Sequence, residues 1–251
     1  MCNSAVIVGK ELSAYSFGEK HPLNSKRLEA FWSRLVNLES MQTGSLKLLP
    51  PILSDEGTVA SFHEKKYIDF VKESSITGSG YLDSGDTPSF KGVFDASLYV
   101  TGSTILALET VINKTNGIDH AFNPIGGLHH ARRNAAGGFC VFNDIGIAIM
   151  HARKNLNLKR ILYVDIDAHH GDGVFYEFED DPDLFIADIH EDGSFLYPGT
   201  GFESETGLGE ARGTKLNLPL QPGATDSDFL SAFTKIETFV ESLDFELIIF
   251  Q

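Results

Sequence analysis

The sequence predicts an α/β fold, a mainly parallel sheet covered by helices on both faces. Three observations carry that expectation. Short apolar runs bounded by turn residues, at 161–164, 184–187, 216–220 and 247–250, read as buried strands. Segments with helical spacing alternate with them, as in βαβ units. A dense cluster of carboxylates and imidazoles follows the first of these runs directly, at the strand end where open α/β sheets place their sites.

Taken in order, the N-terminal residues 1–8 have no basic segment and too short an apolar stretch to be a secretory leader. Ser25 is placed to cap a helix with apolar positions Leu28, Phe31, Trp32 and Leu35. Residues 74–91, rich in Gly and Ser and holding Asp83, Asp86 and Pro88, read as a loop. The clearest helix follows, with Phe94, Leu98, Thr101, Ile105, Leu108 and Ile112 stepping by four and three. Asn143 or Asp144 caps the next helix, which ends near His151, Arg153 and Lys154, where cations suit the helix dipole. A strand over 161–167 comes next, then strands over 184–187 and 216–220. Asp226 is placed to cap a helix carrying Phe229, Phe233, Ile236 and Val240, ahead of the strand at 247–250. No repeat or low-complexity linker interrupts the chain, which favours one domain over 1–251. Parallel strands normally lead into a loop and another helix, so an end at Gln251 reads as a domain lacking its C-terminal part.

Composition narrows the function. Hydrophobic residues make up 42% and charged residues 22% of 251, the balance of a soluble globular chain. No apolar run approaches the ~20 residues of a membrane helix. Cys2 and Cys140 are the two cysteines, too few for a disulfide framework, which points to a reducing cytoplasm. The net charge of −15 argues against general nucleic-acid binding, which needs clustered Lys and Arg. It suits cationic substrates such as basic peptides or polyamines, although solubility is the simpler explanation.

Two motifs carry chemistry. In the run 164–172, Asp165, Asp167 and His169 share one face if the strand continues that far. Oxygen and nitrogen donors at this spacing suit a divalent metal such as zinc. The second motif is Gly126-Gly127-Leu128-His129-His130-Ala131, followed by Gly137-Gly138-Phe139-Cys140. On a helix adjacent histidines would point about 100° apart. The glycine pair instead suggests a tight turn that presents both rings to a cleft. Neither motif has zinc-finger spacing or the metalloprotease His-Glu-x-x-His pattern. There are more carboxylates and imidazoles than one metal needs. A carboxylate bonded to one ring nitrogen fixes the tautomer and raises the basicity of the other, which leaves some for acid–base work. Singly, each residue has a plainer role: a strand-end Asp is a cap, Phe139 is core, Cys140 a buried thiol rather than a nucleophile. Together they point to a site, because a core does not accumulate this many charges without partners or metal.

At these residues the sequence resembles the histone deacetylase superfamily, in particular its prokaryotic acetoin-utilization and acetylpolyamine amidohydrolase branches. The matching stretches are 126–131, Gly138-Phe139-Cys140-Val141-Phe142-Asn143-Asp144, 165–173 and Tyr197-Pro198-Gly199-Thr200-Gly201, with weaker matches at His21-Pro22 and Asp86-Thr87-Pro88. Leu128 stands where eukaryotic members often carry Trp, which favours the prokaryotic branch. The resemblance implies an arginase/deacetylase-like three-layer αβα fold and zinc-dependent hydrolysis of acetyl-amides such as acetyl-lysine or acetylpolyamines. It makes Asp167 and His169 zinc ligands. It makes His130 the general base oriented by Asp172, and His129, paired with Asp165, an electrostatic partner or proton donor. Phe139 and Tyr197 become walls of an acyl channel lined by Gly138, and Asp86 a rim residue gripping the substrate backbone. Backbone carbonyls around Asp165, Asp167 and His169 resemble a structural potassium site. Family members also use a third Asp ligand after the strand ending here at Gln251, and a later Tyr. Neither is within these 251 residues, so the chain alone is expected to hold zinc weakly and hydrolyse little. Two other readings remain, a non-catalytic acyl-lysine or metal-binding module and a ureohydrolase; the His129-His130 pair argues against the second.

Overall fold

All pairings between the described strands are parallel. The structure is a computed structural model describing residues 3–38, 41 and 43–251. It divides into two compact units, Met1–His151 and Ala152–Gln251.

In the first unit, β1 (Asn3–Ile7) lies between β2 (Leu46–Leu49) and β3 (Ile118–Phe122). Its helices include α1 (Lys26–Leu35), α2 (Glu56–Val59), α3 (Lys65–Thr77) and α4 (Val93–Ile112), and α5 (Asp144–Leu156) begins in it. Helix α4 spans the residues its spacing predicts and buries Leu98, Thr101, Ile105 and Leu108. It also buries Gly102, where a Cβ would come within 2.2 Å of the Ile52 carbonyl oxygen. The backbone of Ile52 therefore approaches the helix only at a glycine.

Two expectations here need correction. Ser25 occupies the position before α1 but makes no capping bond; Asn24 Oδ1 instead accepts from the Lys26 amide at 3.0 Å. The loop expected from residue 74 begins later, because α3 continues to Thr77 and ends on Gly78 at φ +64°. Asn143, rather than Asp144, caps α5, its Oδ1 accepting from Gly146 N at 2.8 Å.

The second unit holds a sheet in the order β6-β5-β4-β7, with β4 (Ile161–Asp165), β5 (Leu184–Glu191), β6 (Lys215–Leu220) and β7 (Leu247–Phe250). A short helix α6 (Asp172–Phe175) follows β4, and α7 (Asp226–Glu241) lies between β6 and β7 in sequence. Leu162, Val164, Phe185, Ala187, Ile189 and Leu218 pack with Ala232 and Ile236 of α7 into one core cluster. The cap of α7 is Thr225 and not Asp226: its amide and hydroxyl both reach Asp228 Oδ2, at 2.8 and 2.7 Å.

The strand expected over 161–167 stops at Asp165. Asp165 Oδ1 accepts from Asp167 N at 2.9 Å, and Asp167 Oδ1 from His169 N at 2.8 Å. Two successive Asx-type turns replace the extended backbone. The alternation that would have put Asp165, Asp167 and His169 on one face therefore does not apply. Among the described residues, no helix is long and apolar enough to cross a membrane.

Candidate active site

In the first unit, residues 126–131 form a loop pinned from below. Asp144 Oδ1 accepts from Leu128 N at 2.7 Å, and both its oxygens accept from Gly127 N at 3.1 Å. Thr104 Oγ1 donates to Asp144 Oδ2 at 2.5 Å. Burial raises the Asp144 pKa, against the lowering effect of these donors. The glycines are required: a Cβ on Gly126 would meet Asp144 Oδ2 at 2.7 Å, and Gly127 adopts φ +93°. The tight turn inferred from the glycine pair is present.

Asn143 holds the next residues, its Nδ2 donating to Ala131 O at 2.8 Å and, more weakly, to His129 O at 3.5 Å. His63 Nε2 accepts from Asn143 N at 2.9 Å, and burial lowers the His63 pKa to about 3, so its ring is neutral. On this frame His129 and His130 are 3% and 5% exposed, with ring centroids 4.1 Å apart.

The same unit holds Asp86, Gly138 and Phe139. Gly138 and Phe139 have φ of +52° and +69° between the paired residues Gly137 and Cys140, the pattern of a type I′ turn. The His21 ring meets Phe139 edge-on at 4.4 Å. Asp86 is exposed beside Asp83. Its pKa rises to about 6, first because of its hydrogen bond with Asp83, then through desolvation and the Asp83 charge. Burial alone would raise Asp83, but hydrogen bonds from Asp86, Thr87 and Gly85 outweigh it and lower its pKa.

In the second unit, Asp167 Oδ1 and His169 Nδ1 face each other at 2.8 Å, with side chains 40% and 41% exposed. Tyr197, 45% exposed, lies edge-on to His169 at 6.2 Å. Asp165 is fully buried and accepts from Tyr163 OH at 2.5 Å; Asp172, also buried, opens α6. The unit thus brings Asp167, His169 and Tyr197 together.

Several structural partners were missed. Asp188 and His190, on β5, are buried and paired at 2.6 Å. Burial and then the nearby Asp165 raise the Asp188 pKa; His190 is raised because Asp188 outweighs burial. Asp188 Oδ2 accepts from Gly171 N at 3.0 Å, and His190 Nε2 lies 2.8 Å from Gly201 O. The signal was present as two polar residues two apart in an apolar strand. His63 lacks such a signal, and the sequence marks Asn143 and Asp144 as a cap and a motif without linking them to the histidine loop.

Among the described residues, no group of three or more His, Cys, Asp or Glu side chains is arranged to hold a metal ion. The Asp167–His169 pair does fit two of the ligands of a zinc ion. One carboxylate oxygen and one imidazole nitrogen converge, open to solvent. Tetrahedral zinc ligands stand about 3.3 Å apart, so the pair would open by about half an ångström.

A family model described as the histone deacetylase domain matches residues 21–251. The chain belongs to the histone deacetylase family. It is 36% identical over 240 residues to the acetoin utilization protein AcuC of Bacillus subtilis, covering 93% of this chain and 61% of that protein. It is 32% identical to the AcuC protein of Staphylococcus xylosus, covering 97% and 64%. The chain therefore spans less than two thirds of these relatives. A crystal structure of a histone deacetylase homologue from Aquifex aeolicus matches with TM-score 0.85 at 30% identity, covering 99% of this chain and 68% of that one. A homologue complexed with SAHA matches with TM-score 0.86 at 30% identity, covering 100% and 68%. The predicted family, its acetoin-utilization branch and the deacetylase-like α/β fold are borne out.

Proposed function

We propose that the protein hydrolyses the amide bond of an acetylated amine, such as an acetyl-lysine or an acetylpolyamine, releasing acetate and the free amine. The observation that carries this reading is the buried His129–His130 pair on a backbone fixed by Asp144 and Asn143. Adjacent imidazoles on a fixed backbone suit proton transfer, since their positions stay defined as protons move.

In this reading His130 accepts the proton of the attacking water, and His129 stabilises developing charge or protonates the leaving nitrogen. The family resemblance pairs these rings with Asp172 and Asp165, whose carboxylates would raise imidazole basicity. Asp167 and His169 would hold zinc. When bound, zinc supplies Lewis-acid polarisation of the carbonyl and a more acidic water. The family resemblance assigns Phe139, Gly138 and Tyr197 to an acyl channel, and Asp86 to a hydrogen bond from the substrate backbone. Carbonyls around Asp165, Asp167 and His169 would hold the structural potassium ion that the family resemblance implies. The cytoplasm is the compartment that a two-cysteine composition favours.

The test is acetate release from acetyl-lysine peptides and acetylpolyamines by the full-length, zinc-loaded protein. The reading predicts release from at least one class, lost on chelation. Urea release from arginine with no acetate from any acetyl-amide would reject it.

A further inference from the structure

Phe139 is a bulky residue at φ +69°, a backbone region costly for anything but glycine or, less so, asparagine. Such a conformation persists only where surrounding groups over-determine it. Both of its peptide groups are gripped by hydroxyls. Phe139 N donates to Thr87 Oγ1 at 3.0 Å. Phe139 O accepts from Tyr15 OH at 2.8 Å, and the same Tyr15 oxygen accepts from Val141 N at 3.0 Å. Thr87 is 0% exposed and Tyr15 2% exposed, so water does not compete for either bond.

The proton directions follow from the partners. An amide N–H only donates, so Thr87 Oγ1 accepts from Phe139, and its own hydrogen goes to Asp83 Oδ2 at 2.6 Å. Asp83 Oδ1 in turn accepts from the amides of Gly85, Asp86 and Thr87, at 2.9, 3.1 and 2.9 Å. The loop bearing Asp86 and the turn bearing Phe139 are 52 residues apart in sequence but share one hydroxyl. Around Phe139 the rings of His21 and Phe17 stand at 4.4 and 6.5 Å, and Phe17 meets Phe90 at 5.5 Å.

We propose that Thr87 and Tyr15 are positioning residues that lock Phe139 in its left-handed conformation, and that Thr87 ties this turn to the Asp83–Asp86 loop so that channel wall and rim hold one fixed spacing. This deepens the proposed function and rests on it in taking Phe139 as a channel wall. Neither Thr87 nor Tyr15 touches substrate in this scheme. Their effect is on acyl-chain selectivity and KM.

The test compares the protein with Thr87→Val, Thr87→Ser and Tyr15→Phe, using amide hydrogen exchange and steady-state kinetics on acetyl- and butyryl-lysine peptides. In Thr87→Val, Phe139 exchange should speed by about tenfold or more while α4 amides keep their protection. KM for the acetyl substrate should rise several-fold with kcat nearly unchanged, and the preference for acetyl over butyryl should fall. Thr87→Ser, which keeps the hydroxyl, should restore both. Unchanged Phe139 exchange in folded Thr87→Val overturns the proposal, as does faster exchange spread equally through α4. If Thr87→Val does not fold, Tyr15→Phe decides by the same criterion at Val141, which loses its acceptor. If the full-length wild-type protein releases no acetate, the functional reading fails, while Phe139 exchange still decides whether Thr87 holds the turn.

Discussion

The His129–His130 loop and the Asp167–His169 turn differ in how they are held. The first is buried and its backbone is pinned by side chains 12 to 17 positions away in sequence. The second is half-exposed and organised by hydrogen bonds between residues two apart. Their units differ in charge as well. Residues 1–151 carry 15 Asp and Glu against 13 Lys and Arg, whereas residues 152–251 carry 20 against 7. The contrast matches the two tasks proposed for them. Proton-transfer groups need fixed positions, while donors for an ion need access from solvent and freedom to close on it.

The sharpest way to break this contrast is at the open turn. Asp167→Ala and His169→Ala should each weaken zinc binding by about 100-fold or more in chelator competition, since even outer-shell partners are worth 10- to 100-fold. A variant binding zinc like the parent would remove the turn from the site. At the buried loop the expected effect is on stability. Asp144→Ala leaves the amides of Gly127 and Leu128 without their carboxylate, at a cost of about 3 kcal/mol in urea unfolding. Loss below about 1 kcal/mol would mean the loop is not held by Asp144.

Smaller effects sharpen the comparison at the rim. Asp86, raised to about 6 mainly by Asp83, is ionised above that pH and accepts hydrogen bonds best there. KM should therefore rise as pH falls through about 6. Asp83→Asn keeps Oδ1 for the three loop amides but removes the charge, so the rise should move down toward about 4, the ordinary Asp range. An unmoved profile would place the titration elsewhere. The smallest effect lies at the start of α7: Asp228→Ala removes its capping box and should cost about 1 kcal/mol.

Much of this was legible in the sequence, for reasons specific to each element. The periodicity of α4 and the apolar run of β7 predicted their bounds, because burial on one face or both leaves a direct pattern. The boundary of β4 was missed because the carboxylates of Asp165 and Asp167 capture amides two residues on, a local competition that an apolar-run reading does not weigh. The caps of α1 and α7 shifted by one residue for the same kind of reason. The histidine pair could be found from its glycines and neighbouring residue types. Its supports Asn143 and Asp144 read in sequence as a helix cap and part of a family motif, and their grip on residues 127–131 exists only once the chain has folded. Thr87 was part of a weak motif, and nothing in the sequence connected its hydroxyl to Phe139.

The most direct test of the central claim is acetate release by the full-length, zinc-loaded protein and its His130→Ala variant, under conditions where both are folded. The account predicts that the parent releases acetate and that the variant loses about 100-fold or more of the rate, the scale of general acid–base catalysis. An unchanged rate in His130→Ala would contradict it.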